Sequence, residues 1–308
     1  MIELIKKTSI DFMGLRRFAF AFSAILVVLG VVGTVQIFRG QANLGIDLAG
    51  GTSIQVKFQK PVHLDRVREV MAKAGHREAN LQGVPGENIV IIKVGAKGKD
   101  EKMVADQVVA LLRQSFADNP LSVDSVAEIG PAIGRKLRSD AALAMAISAL
   151  AIIVYLAWRF EFKFGVAAAM ATFHDVFALV GLFYVLHREI DLLFITALLT
   201  IAGYSLTDTV VIFDRIRENV RLRKKPTFSE TINLSVNEVL SRTIVTSLTV
   251  FITCLALLFF GGVVLKEFAL ALSIGVIIGT YSSVFVASPI VAIWRGEKMA
   301  DVKRSSGG

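Results

Sequence analysis

The sequence predicts a polytopic α-helical membrane protein with six transmembrane helices and one α+β ferredoxin-like extracytoplasmic domain between the first and second. Three observations predict it. Of the 308 residues, 54% are hydrophobic, and they gather in runs of roughly 20, the length a helix needs to cross ~30 Å of hydrocarbon. One stretch, residues 39–138, is instead polar, mixed in charge and the size of a small domain. Within it the hydrophobic period switches in the order strand, helix, strand, strand, helix, strand, which is the split βαβ pattern.

The elements follow in order. Residues 1–17 are short and basic, with Lys6, Lys7, Arg16 and Arg17. Phe18 to Phe38 forms the first span. It exceeds the 7–15 residues of a signal-peptide core and no clean cleavage site follows, so it is read as retained despite the Arg16-Arg17 pair. In the domain, 52–58 alternates as a strand and 64–74 repeats as an amphipathic helix ended by Gly75. Residues 77–82 and 88–94 are strands joined by a turn at Gly83 to Glu87. Residues 100–116 form a second helix and 121–128 a last strand. Five more spans are expected, at 139–158, 164–186, 191–213, 243–261 and 268–293, within a membrane region of 139–293. Residues 214–242 form a polar loop with a short amphipathic surface helix at 228–240. The tail is 294–308.

Charge sets an expected orientation. With six spans, the N-terminus, 159–163, 214–242 and the tail lie on one side and hold 17 basic residues, against Arg188 and Lys266 in the two short loops opposite. Under the positive-inside rule both termini are cytoplasmic and the inserted domain is extracytoplasmic. The same asymmetry accounts for the net charge of +8, and no zinc-finger, RNA-recognition or P-loop pattern points to nucleic acid or nucleotide. The single cysteine, Cys254, cannot form an intrachain disulfide.

The candidate site is a charge in the wrong solvent. Leu192 to Phe213 is long enough to cross a bilayer and carries Asp208, which costs several kcal/mol unless paired, hydrated or protonated. Gly203, Ser205, Thr207 and Thr209 around it permit close helix approach and hydration. The residues predict a proton-handling carboxyl; the alternative is a structural carboxylate capped by a neighbouring helix. Arg242, opening the next span, is the natural partner, or else one more positive-inside charge. Asp214, Arg215, Glu218 and Asn219 crowd the membrane exit. Asp175, beside His174 mid-way along the third span, is either part of a proton path or an interhelical pair. Adjacent helical residues point about 100° apart, and no second histidine at helical spacing completes a metal site. Ala271, Gly275, Gly279 and Ser283 make a small-residue stripe for close helix packing, with a partner helix from this chain or another. Asp47 with Gly50 and Gly51 forms a turn motif, its glycines suited to positive φ, and lacks the GK[ST] ending of a phosphate loop. No nucleophile–base pair marks an enzyme.

Five stretches together, NLGIDLAGGT (43–52), VAEIGPAIG (126–134), FHDV (173–176), GYSLTDTVVIFDRIREN (203–219) and SRTIVTS (241–247), resemble the SecF branch of the SecD/SecF family. They occur in family order along almost the whole chain. The resemblance implies a resistance–nodulation–division architecture in the bacterial cytoplasmic (inner) membrane, without a cofactor. It implies SecD as a partner with a related six-span bundle, and association with the SecYEG translocon, YajC, the translocating preprotein and membrane lipid. It implies use of the proton-motive force to assist export, with Asp208 and Arg242 on the proton path and a second acid supplied by SecD. A related alternative is half of a proton-driven small-molecule or lipid efflux transporter of the same superfamily. A third is a structural subunit that merely holds SecD.

Overall fold

Among the described residues, six helices are long and apolar enough to cross a membrane. The computed structural model describes residues 8–84, 86–95, 101–222 and 225–296. Lys6, Lys7, Pro85 of the predicted turn, Arg223, Lys224 and the tail beyond Gly296 lie outside the described residues. The first span is α1 (Arg16–Phe38), followed by a short helix, α2 (Ile46–Ala49). The domain then runs β1 (Gly51–Phe58), α3 (Leu64–Lys73), β2 (Asn80–Gly83), β3 (Ile89–Gly95), α4 (Glu101–Ser115) and β4 (Leu121–Ile129). Its sheet has the order β2-β3-β1-β4 with every neighbouring pair antiparallel, as a split βαβ unit requires. Alternate residues of β1 and β3, among them Ile54, Val56, Phe58 and Ile92, point to one face and are covered by Val67 and Met71 of α3 and Val108 and Leu112 of α4.

The remaining spans are α5 (Pro131–Arg159), α6 (Phe162–Val185), α7 (Leu192–Arg221), α8 (Phe228–Phe260) and a sixth made of α9 (Gly262–Ser282), a π-helical turn (Ser283–Ala287) and α10 (Ser288–Arg295). The π turn has a local cause. Pro289 has no N–H for the Phe285 carbonyl four residues back, and within the turn the Ser288 hydroxyl donates to the Ser283 carbonyl, five residues before it, at 2.9 Å.

Three boundaries differ from those expected by eight residues or more. α5 starts at Pro131, a favoured first helical residue, eight residues before the apolar run. α7 continues to Arg221 and α8 begins at Phe228, so the expected 214–242 loop shrinks to 222–227. The surface helix expected at 228–240 is the first part of α8, started by Thr227, whose side chain accepts from the Glu230 amide at 3.2 Å. Hydropathy falls there, yet the helices persist because their polar residues satisfy one another. Arg215 meets Glu238 at 2.7 Å, and Asn219 donates to Ser235 at 3.0 Å and Glu238 at 2.6 Å.

α6, α7 and α9 form the interior, while α5 and α8 turn most of their surface outward. α1 crosses α6 at backbone contact, since a Cβ on Gly30 would stand 2.2 Å from the Phe177 carbonyl and one on Gly181 2.5 Å from the Gly30 nitrogen. The N-terminal segment lies along α8, where Asn237 bonds Ile10 and Asn233 bonds Asp11 and Met13. The Gly14 amide, then Asn233, hold the Asp11 carboxyl below its ordinary value.

The domain is seated on the bundle by two contacts. At the first, Arg138 of α5 donates to the Leu48 carbonyl at 2.7 Å, and α5 approaches so closely that a Cβ on Gly134 would lie 2.8 Å from the Gly50 nitrogen. Gly50 and Gly51 have φ of 80° and 153°, the positive values expected for this turn. A Cβ on Gly51 would also meet the Val94 carbonyl at 2.3 Å. Gly51→Ala is therefore expected to lower unfolding stability by roughly 1–3 kcal/mol from backbone strain alone, with a further loss from that collision. Thermal unfolding of the full chain in detergent measures it, and an unchanged midpoint would contradict the strained turn.

At the second contact Glu189, in the link between α6 and α7, reaches the open face of the sheet. Lys93 meets it at 2.8 Å, Asn80 at 2.9 Å and Gln82 at 3.2 Å. Burial raises the Glu189 carboxyl above its ordinary range, and the Lys93 ammonium acts against that rise.

Candidate functional site

α7 presents two polar faces to its neighbours α8, α6 and α9. Tyr204 and Asp208 are four apart and share one; Ser205 and Thr209 share the next, about 100° round. The first faces α8. There the Ser247 hydroxyl donates to Asp208 Oδ2 at 3.4 Å and accepts from the Tyr204 hydroxyl at 3.2 Å. Thr280 Oγ1 of α9 lies 2.7 Å from the same Ser247 oxygen and 2.8 Å from the Val276 carbonyl. One proton on Thr280 serves two acceptors, so the hydroxyl chain has more than one arrangement of equal composition.

The second face meets α6 and α9. Asp175 is fully buried. Its Oδ2 accepts from the Ser205 hydroxyl in a short hydrogen bond and from the Ser282 hydroxyl at 2.8 Å, while Oδ1 lies 3.0 Å from His174 Nδ1. Ser283 Oγ stands 3.0 Å from Thr209 Oγ1. Asp175 thus ties α6 to α7 and α9, the interhelical arrangement. The 100° offset between His174 and Asp175 does not keep them apart, because the imidazole turns back along the helix. With Nδ1 given to Asp175, His174 Nε2 is buried with no partner among the described residues.

The two acids therefore differ in kind. Asp175 has three partners and no exposure. Asp208 has one hydrogen bond among the described residues, at 3.4 Å longer than the usual O–H···O range, and keeps 8% exposure. A carboxyl held this loosely changes partners at little cost; one held by three does not.

Arg242 differs from the expected partner. It does not open a helix but is the fifteenth residue of α8, and it is exposed. No ion pair within 4.0 Å joins it to Asp208. Five residues separate Arg242 from Ser247, which turns them about 140° apart on the helix; α8 offers Asp208 the serine.

The small-residue stripe packs on α7 of the same chain. A Cβ on Gly275 would meet Ile201 at 2.5 Å and one on Gly279 would meet Ser205 at 2.9 Å, with Ala271 buried above and Ser283 bonded below. This corrects the possibility of a partner helix from another chain. The residues at the polar end tie α7 to its neighbours: Asp214 pairs with Arg159 of α5 at 2.5 Å and Arg215 with Glu238 of α8, while Glu218 braces Arg215 from within α7 at 2.6 Å. Asp47 is half-buried in α2, beside the Gly50-Gly51 turn.

Sequence reasoning missed Ser247, Thr280 and Tyr204 as the groups around Asp208, and Glu189 as the domain contact. Hydroxyls in apolar spans were the available signal for the first three. Nothing local distinguishes Glu189 from any loop carboxylate.

Residues 108–297 match the protein export membrane protein SecD/SecF C-terminal family, and residues 42–62 match the SecD/SecF GG motif. The chain belongs to the SecD/SecF family. It is 49% identical over 95% of its length to the protein translocase subunit SecF of Thermodesulfovibrio yellowstonii, covering 97% of that protein. It is 36% identical to SecF of Pseudomonas aeruginosa, over 94% of this chain and 92% of that one. The crystal structure of SecDF, a translocon-associated membrane protein from Thermus thermophilus, superposes with a TM-score of 0.77 at 34% identity. That match covers 94% of this chain and 39% of the SecDF chain, so the present chain spans well under half of that larger protein. SecDF in a super-membrane-facing form gives a TM-score of 0.68 at 35% identity with the same coverage. The GG motif is the Gly50-Gly51 turn, and the larger match takes in α5 to α10, with both acids.

Proposed function

We propose that the chain is a proton-driven coupling subunit of a protein-export machine, not an enzyme. On this reading it works with SecD beside the SecYEG channel, with YajC associated, and acts on the translocating preprotein from the far side of the bacterial cytoplasmic membrane. Both termini and the 222–227 link are cytoplasmic, and the sheet domain is extracytoplasmic, as the basic residues favour. The observation that carries the reading is Asp208, a buried acid with one long hydrogen bond to a hydroxyl chain across three helices. Taking up a proton turns one of its oxygens from acceptor to donor, so Ser247, Tyr204 and Thr280 must rearrange and the α7–α8 contact with them. Arg242 is then the cation that a newly charged Asp208 can attract, along the membrane interface. One charge crossing 100 mV releases ~2.3 kcal/mol, enough to shift a helix contact held by hydrogen bonds of about 1 kcal/mol each. The named role of the relatives favours export over small-molecule or lipid efflux.

The test is preprotein translocation in membrane vesicles holding this chain and its SecD partner. At constant ATP, stimulation by the chain is expected to disappear when a protonophore collapses the gradient. Stimulation that persists unchanged would leave a structural role, holding SecD, as the better reading.

A further inference from the structure

The Glu189 contact is built more completely than a chance surface pair. The side chain is 4% exposed. Lys93 reaches both of its oxygens, at 2.8 and 2.9 Å, and Asn80 and Gln82 both donate to Oε2. Three donors converge on Oε2, one of them the Lys93 ammonium that also reaches Oε1, and all come from β2 and β3. The backbone beside it is stitched as well: the Gly45 amide donates to the Ile190 carbonyl at 2.9 Å, and the Ile190 amide to the Asn43 carbonyl at 2.8 Å. Gly45 permits the approach, since a Cβ there would lie 2.7 Å from the Asp191 Cβ. Two residues after Glu189, Asp191 caps α7 by accepting from the Phe194 amide at 2.8 Å. From that cap to Asp208 the chain is unbroken helix, about 25 Å of it at 1.5 Å per residue.

We infer that Glu189 is a positioning residue that transmits displacement of α7 to the sheet domain, through a contact that stays closed while α7 moves. The inference rests on the proton-driven reading above. A rigid helix delivers a shift at its Asp208 end to its capped end, and the domain follows only where it is fastened there. The Arg138–Leu48 contact fastens the domain to α5 instead, so α7 has its own link. The carboxylate's charge matters, because Lys93 is the one charged donor among the three.

The experiment measures two quantities in proteoliposomes containing the export complex proposed above: proton entry by an internal pH dye, and gradient-driven preprotein export. Glu189→Ala is expected to keep proton entry and lose export stimulation by about tenfold, equal to ~1.4 kcal/mol of coupling. A second sample carries Lys93→Cys and Glu189→Cys, joined by a reducible bifunctional thiol reagent, with the lone Cys254 replaced by alanine. Export should be present in the joined state and fall when reductant cuts the link. Full export by Glu189→Ala overturns the inference. So does a Cys pair equally active or equally inactive in both states, or one that works only when cut. Failure of the proton-driven reading has a different signature, absence of any gradient response in the unmodified complex.

Discussion

Replacing Asp208 with asparagine is expected to abolish proton-dependent export while the chain still folds and copurifies with its partner. Asparagine has the shape of aspartate and keeps an oxygen for the Ser247 hydroxyl, whose bond at 3.4 Å contributes little. Tyr204 and Thr280 keep their contacts to Ser247, so the seam between α7, α8 and α9 survives. What is lost is the group that changes charge. If one charge crossing 100 mV drives the limiting step, its ~2.3 kcal/mol corresponds to a roughly fiftyfold change in rate. Gradient-driven translocation in vesicles, beside copurification and thermal unfolding of the same sample, separates chemistry from folding. Normal translocation by a folded Asp208→Asn variant would remove Asp208 from the coupling.

How far this site was legible depends on which helix property each residue reports. Six spans and the split βαβ domain follow from the hydrophobic period, which is local, and the described residues carry both. Helix ends inside 214–242 were not legible, because apolar runs mark hydrocarbon and not helix termini; Arg215, Asn219, Ser235 and Glu238 extend both helices by bonding one another. Asp208 was legible as a costly charge, but its partner was not. Choosing Ser247 over Arg242 requires the rotation of α8 about its own axis, fixed by packing along its whole length. The stripe from Ala271 to Ser283 was readable as a close-packing surface; that α7 fills it depends on topology. Glu189 was invisible for a related reason, since its donors lie about 100 residues earlier and assemble only when the sheet folds.

Asp175→Ala is expected to fail at the level of the fold, and this sets Asp175 apart from Asp208. Removing the carboxylate strands the Ser205 hydroxyl and His174 Nδ1 in a site with no exposure, and leaves the Ser282 hydroxyl only the Gly279 carbonyl at 3.1 Å. Each buried polar group left unpaired costs about 1–3 kcal/mol, and hydrocarbon supplies no water in its place. Several kcal/mol is a large fraction of the 5–15 that typically separates folded from unfolded domains. The damage falls where the Gly279–Ser205 approach and the π turn before Pro289 already need close fit. Loss of monodisperse protein in detergent and a lowered unfolding midpoint should report it. Asp175→Asn is the discriminating variant: serine hydroxyls rotate and His174 can change tautomer, so an amide can be accommodated there. That variant should fold, lose some stability, and retain most of its gradient-driven export. Were it instead well folded and uncoupled, as Asp208→Asn is expected to be, Asp175 would belong to the proton path and the three-helix tie would be part of the switch.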